Sequence, residues 1–201
     1  MTNPIDAFDE TARDPLPIFH AWFAAALISE PKDPTAMALA TATPGGRPSV
    51  RMVLLKRADE RGFVFYTNDR SRKGGELRSN PHAALCLYWE SLGRQVRIEG
   101  SIAEVSSAEA DGYFHSRARS SQIGAWASEQ SRPVDSRATL EERTRRYELK
   151  YPGEIPRPPY WVGFLLQPHI IEFWHNRPSR LHDRVVFTRG ASGWTRQRLY
   201  P

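Results

Sequence analysis

The sequence predicts a mostly β fold, an antiparallel barrel with flanking helices packed outside it. Extended segments rich in β-branched and aromatic residues occur in two blocks, residues 36–105 and 160–199. Glycine- and proline-bearing turns separate neighbouring segments, and the stretch between the blocks carries helix-start signals.

The elements follow in order. Asp14-Pro15 opens a helical pattern through Phe19, Trp22, Phe23, Ala26 and Leu27 that closes before Pro31 and is expected to cover a barrel end. Residues 1–14 read as a mobile arm and residues 15–201 as one domain. The first block reads as a meander: Ala36–Thr43, the turn Pro44-Gly45-Gly46, Ser49–Ala58, the turn Asp59-Glu60-Arg61-Gly62, then Phe63–Thr67. A basic stretch at Asp69–Gly75 leads to a short helix ending before Asn80-Pro81, and two strands follow, Ala83–Trp89 and Gln95–Val105. Ser106 and Glu109 have capping-box spacing ahead of a helix toward Arg117; Thr139 and Glu142 repeat it before Arg143–Lys150. Pro156, Pro158 and Pro159 mark entry to the second block, Trp161–Leu166, Ile170–His175, Arg184–Thr188 and Gly193–Leu199.

A chain of 201 residues is the length of one domain with a sizeable core. Its 28 Lys+Arg against 23 Asp+Glu leave a charge of +5, gathered in arginine clusters, which favours a small anionic ligand over a polyanion. No glycine-flanked RNA-binding signature, finger spacing or recognition-helix pattern accompanies the pI near 9.6, so no nucleic-acid partner is expected. Cys86, the single cysteine, excludes an internal disulfide and lies in an apolar run that reads as a buried strand. With no export signal and no membrane-length apolar run, a cytoplasmic protein away from membranes is expected.

Chemistry concentrates near the C-terminus. The fifteen residues Ile171–Val185 hold two aromatics, two histidines and three arginines, a density that folding does not require because most surface charges contribute little stability. Tyr113, Arg117 and Ser121 are four apart, so one helix would present a phenol, a guanidinium and a hydroxyl on one face, donors suited to a phosphate monoester. A solvated polar face is the ordinary meaning of any three such residues taken alone. Arg51 and Lys56 flank an apolar run five positions apart, and odd spacing on one strand places them on opposite faces. Ser71-Arg72-Lys73 precedes a short helix, where free backbone N–H groups favour an anion. His169, His175 and His182 lack a compact ligand motif, so no metal site is expected.

Taken together, Arg51–Lys56, Tyr66-Thr67, Ser71-Arg72-Lys73, Gly93–Arg97, Ser121–Ser128 with Gln130-Ser131, and Glu172-Phe173-Trp174 through Arg180–Arg184 resemble the pyridoxine/pyridoxamine 5′-phosphate oxidase family. The likeness runs from about Asp33 to Pro201. It implies an FMN-binding split β-barrel, antiparallel and homodimeric, with FMN in clefts built from both subunits. The implied reaction oxidises pyridoxine 5′-phosphate or pyridoxamine 5′-phosphate at C4′ to pyridoxal 5′-phosphate, with O2 as acceptor and hydrogen peroxide as by-product. The implied FMN contacts are Arg51, Met52, Val53, Leu54, Leu55, Lys56, Tyr66, Thr67, Arg72, Lys73, Gln95, Gln130, Ser131, Trp174 and Arg184, with Arg51, Arg72 and Lys73 on its phosphate. The implied substrate contacts are Lys56, Tyr113, Arg117 and Ser121 on the ester phosphate, with Arg180 and His182 beside the ring and the reacting carbon as the catalytic pair. Asp33 is a weaker candidate for proton handling, set against a role in the turn before Pro34.

Two departures stand out. No Arg-x-x-Tyr-like segment precedes the first helix, and residue 118 is Ala where the family often has Pro. A related flavin oxidase acting on another aromatic substrate would keep the FMN residues and lose the substrate set, which is complete here. A flavin or pyridoxal phosphate binding protein without turnover would bind ligand yet leave FMN oxidised.

Overall fold

The structure, a computed structural model, describes Phe8 and residues 10–201. Helix α1 (Pro15–Ser29) starts where the sequence places it: Asp14 caps it by accepting from Leu16 N at 2.9 Å, with Pro15 in the first turn. It buries Pro15, Ile18, Phe19, Trp22 and Ala26, one helical stripe, while Leu27 faces outward instead of joining the core. Phe19 meets Phe63 edge-on at 4.9 Å, which seats the helix on the sheet. The expected mobile arm lies largely outside the described residues; Phe8 packs against Trp22 and His175.

Among the described residues nine antiparallel strands form one curled sheet: β1 (Ala36–Ala42), β2 (Pro48–Leu54), β3 (Arg57–Asp59), β4 (Gly62–Asn68), β5 (His82–Trp89), β6 (Arg94–Glu104), β7 (Trp161–His175), β8 (Asp183–Gly190) and β9 (Gly193–Leu199). The order is β2-β1-β5-β6-β7-β4-β3, with β8 also on β7 and β9 beyond it. Short helix α2 (Arg72–Ser79) follows β4, and α3 (Ser107–Ser116), α4 (Arg119–Ala127) and α5 (Arg137–Lys150) lie between the two strand blocks. No helix among the described residues is long and apolar enough to cross a membrane.

Three expected boundaries change. Ser49–Ala58, read as one strand, is two: at Leu55-Lys56 the chain leaves β1 and joins β4, with Leu55 N donating to Thr35 O and Lys56 N to Val64 O. That crossing draws the β1–β2 edge toward β4 and gives the sheet its barrel curvature. The two expected strands Trp161–Leu166 and Ile170–His175 are halves of β7, which is continuous along β6 but changes its other neighbour from β4 to β8. The register shift at Glu99/Gly100 on β6 absorbs the irregularity there. Helix α5 begins earlier than Thr139, because Ser136 supplies the capping oxygen to Thr139 N at 3.1 Å.

The main core lies under α1 and inside the sheet, with Trp89, Phe63, Phe65, Phe173 and Phe187 fully buried. A smaller cluster, Phe114, Ile123, Ile155 and Trp161, fixes α3 and α4 against the start of β7. Gly163 on β7 sets the position of an aromatic side chain on β4: a Cβ there would lie 2.6 Å from Tyr66 Cε1, so only glycine lets the Tyr66 ring lie flat on the strand. Cys86 sits half-buried on β5, and burial pushes its thiol above the usual range, which suits an inert strand residue.

Candidate active site

Tyr66, on β4, stacks on Tyr113 of α3 at 4.2 Å and on Trp161 at the start of β7 at 5.0 Å. These rings wall a cavity of about 440 Å³ lined also by Met52, Val53, Leu54, Lys56, Thr67, Lys73, Arg117, Ser121 and Gln130. Lys56, Tyr113, Arg117 and Ser121, the four groups expected on one phosphate, therefore share one cavity.

They do not share one helix. Helix α3 ends at Ser116, Arg117 and Ala118 are extended, and α4 starts at Arg119. The residues converge not by helical spacing but because the chain breaks between two short helices. Nor do Arg51 and Lys56 occupy opposite faces of one strand, since Lys56 lies outside β2. Arg117 lies over the Trp161 ring at 4.9 Å, and its buried Nη1 has no hydrogen-bond partner. Burial pushes its guanidinium below the ordinary arginine range, partly offset by Tyr113. A buried cationic donor without a hydrogen-bond partner, on a residue that lines a cavity, is unfavourable unless an anion completes it.

A second cationic group adjoins the N-terminus of α2. Lys73 is buried, and its Nζ donates only to neutral oxygens: Thr67 Oγ1 at 3.1 Å, Ser71 Oγ at 3.2 Å and Gln130 Oε1 at 2.9 Å. Burial, with Arg51 nearby, pushes its ammonium down to about 8. Arg51 and Arg72 meet at Glu76, a buried carboxylate that the sequence reading passed over although Arg72 and Glu76 stand at helical i,i+4 spacing. Burial works against its charge, but hydrogen bonds from Ser49, Thr41 and Arg72 prevail and hold the carboxyl at about 2. Arg72 N donates to Ser131 Oγ at 3.2 Å, and Ser131 is held at φ 73°, so the Gln130-Ser131 loop is strained where it closes this corner. Leu55 is buried in the core, outside the cavity lining.

Gln95, Trp174 and Arg184 form a cross-strand row on β6, β7 and β8. His182 lies against Trp174, ring centroids 4.6 Å apart, and its Nδ1 accepts from Arg177 N at 3.2 Å. Arg180 is exposed in a turn where it and Ser179 adopt φ 60° and 58°. Arg184 makes a two-pronged ion pair with the buried Glu172, at 2.9 and 3.0 Å. This row is not part of the Tyr66 cavity: Gly163, opposite Tyr66, and Trp174, opposite Gln95, are eleven residues apart on β7, about 36 Å of strand. Asp33 belongs to neither group. Its carboxylate accepts from Thr35 Oγ1 at 2.6 Å and Thr35 N at 2.9 Å, bonds that hold its pKa below the usual carboxylate value and fit the turn role.

Comparison with known proteins decides the family. The family model described as pyridoxamine 5′-phosphate oxidase matches residues 24–151, and that of the pyridoxine 5′-phosphate oxidase C-terminal dimerisation region matches residues 161–201. The chain belongs to the pyridoxamine 5′-phosphate oxidase family. Among relatives named pyridoxine/pyridoxamine 5′-phosphate oxidase, that of Rhodospirillum rubrum is 60% identical over 195 residues, covering 94% of this chain and 97% of the relative. That of Brucella canis is 57% identical over the whole of both chains. PhzG from Burkholderia lata, solved with tetrahydrophenazine-1-carboxylic acid, superposes with a TM-score of 0.90 at 34% identity, covering 96% of this chain and 95% of its own. A Nostoc punctiforme protein titled a pyridoxamine 5′-phosphate oxidase-related, FMN binding protein shares the fold, with a TM-score of 0.74 at 20% identity over 91% of this chain and 97% of its own. As a member of this oxidase family the chain is an enzyme, and its curled antiparallel sheet is the family's split barrel.

Proposed function

We propose that this enzyme oxidises pyridoxine 5′-phosphate or pyridoxamine 5′-phosphate at C4′ to pyridoxal 5′-phosphate, using FMN and O2 and yielding hydrogen peroxide, with ammonia from the amine. The observation that carries the reading is Arg117, whose buried Nη1 lacks a partner in a cavity that also presents Lys56, Tyr113 and Ser121. A phosphate monoester supplies the missing acceptors and charge.

The residues also fit FMN. Lys73 is a buried cation with only neutral partners, beside Arg72 at a helix N-terminus, an arrangement that suits the cofactor phosphate. Met52 and Leu54, on one face of β2, offer apolar surface for a planar ring. The Trp174–Arg184 row, at the far end of β7, completes the pocket only if it comes from a second copy of the chain. The outward face of β2 supports that dimer, since Val50 and Met52 are 67% and 63% exposed and form an apolar strip on a sheet edge.

Bound FMN would take two electrons from the substrate and pass them to O2. The chain's own part is to hold C4′ against the flavin, with the ester phosphate fixed by Arg117, Lys56, Tyr113 and Ser121. His182 is set up to orient. Because its Nδ1 accepts from Arg177 N, the neutral ring carries its proton on Nε2 and donates from there to a substrate oxygen. Arg180 clamps the ring from the same loop.

Lys73 links cofactor binding to pH. Its folded pKa of about 8 lies below the ordinary 10.5, so the unfolded chain holds this proton more tightly. The penalty on the apo fold is therefore full below pH 8 and is relieved as pH rises from 8 toward 10.5. A phosphate beside the ammonium restores the proton, so FMN affinity is expected to fall above pH 8, by up to about tenfold per unit. Flavin-fluorescence titrations from pH 7 to 9.5 check this, and Lys73→Met should bind weakly with no such slope.

The activity is tested by loading the protein with FMN, adding pyridoxine 5′-phosphate without oxygen, following flavin absorbance, and then admitting air. Bleaching, recovery and formation of pyridoxal 5′-phosphate are expected. An FMN-loaded protein that stays yellow with both phosphate esters, or that bleaches only with a tricyclic carboxylic acid, contradicts the proposal.

A further inference from the structure

We propose that Gln122 is a positioning residue that aims Arg117 at the ester phosphate, a role that rests on Arg117 being the phosphate-binding group of the proposed function. A helix C-terminus leaves carbonyls without partners, and here those of α3 lie where the chain must turn Arg117 into the cavity. The Gln122 side chain reaches back from the first turns of α4 and donates from Nε2 to Arg117 O at 2.8 Å and to His115 O at 3.3 Å. One amide thus ties the end of α3 to the backbone of the residue whose guanidinium lies over Trp161. Nothing else fixes that carbonyl among the described contacts, while Arg117 N is held by Phe114 O at 3.2 Å. The clamp fixes both sides of the Arg117 peptide backbone, and the side chain follows.

The same geometry shows what could replace it. Ala118 has φ −54° and ψ 140°, and Arg117 has φ −76° and ψ 152°. Proline accepts that φ, and the residue before a proline favours that extended conformation. A proline at 118 would hold the break open by covalent restraint. Gln122 and a residue-118 proline are therefore two restraints on one joint, and with Ala118 this chain relies on the amide.

The experiment compares wild type, Gln122→Ala, Ala118→Pro, the double variant and Arg117→Ala. Each is measured for FMN retention, kcat and KM with pyridoxine 5′-phosphate, and affinity for inorganic phosphate by calorimetry. Gln122→Ala is expected to raise KM and weaken phosphate about tenfold, with FMN retention unchanged and kcat within about twofold. Adding Ala118→Pro should recover most of both losses, and the unchanged FMN retention separates this from a general loss of stability. If Gln122→Ala does not fold, Gln122→Met keeps the length, removes the N–H donors without adding charge and serves the same comparison. Wild-type phosphate affinity in the Gln122 variants, or a loss that proline leaves uncorrected, overturns the proposal. Phosphate binding is read without turnover. A wild type that binds phosphate through Arg117 but oxidises neither ester would thus sink the oxidase reading and leave this one standing.

Discussion

Arg117→Ala is expected to raise KM for pyridoxine 5′-phosphate about a hundredfold while FMN content stays at the wild-type level. The size follows from losing charge-assisted hydrogen bonds to a phosphate, about 1.5–3 kcal/mol. The selectivity follows from position: Arg117 follows α3 and lies over Trp161, whereas Lys73, Arg72 and Ser131 gather at the start of α2. Arg117→Lys should recover only part of the loss, because an ammonium keeps the charge but not the planar contact with Trp161 at 4.9 Å. Steady-state kinetics with flavin absorbance per chain checks both, and a parallel loss of FMN would place Arg117 in the cofactor site instead.

The second large effect is on kcat. His182→Ala should lower turnover about a hundredfold with FMN still bound and KM little changed, since orientation at the reacting carbon is lost and the phosphate grip is not. Its ring is held from two sides, by Trp174 at 4.6 Å and by the Arg177 N–H on Nδ1 at 3.2 Å. The loop carrying it includes two non-glycine residues at positive φ, a conformation that costs energy and that this turn retains. Single-turnover reduction of FMN separates the step: slow bleaching is expected, and bleaching at the wild-type rate would remove His182 from the chemistry.

The fold was legible where local signals and burial agree. Asp14-Pro15 sets the start of α1, Ser106 caps α3 through Glu109 N, and the alternating strands fall close to their expected bounds. It was illegible where tertiary contacts decide. Nothing local tells that Leu55 and Lys56 leave one strand neighbour for another, or that β7 runs unbroken past Pro168 by exchanging β4 for β8. The site shows the same division. Tyr113, Arg117 and Ser121 do converge, yet through a break that helical spacing could not reveal. Glu76 escaped notice because a carboxylate among cations reads as an ordinary surface pair until burial and four donors show otherwise. Trp161 escaped because one aromatic at a strand start looks like core.

In the proposed enzyme each site is made by two chains, one giving Arg117 and the other His182. Arg117→Ala and His182→Ala chains carrying different tags should be co-expressed and the doubly tagged dimer purified. That dimer has one site with both residues intact and one with neither, so at substrate well below the wild-type KM about half the wild-type kcat/KM per dimer is predicted, far above either parent. A mixed dimer no more active than its parents would show that Arg117 and His182 of the same chain work together, and would contradict the two-chain site.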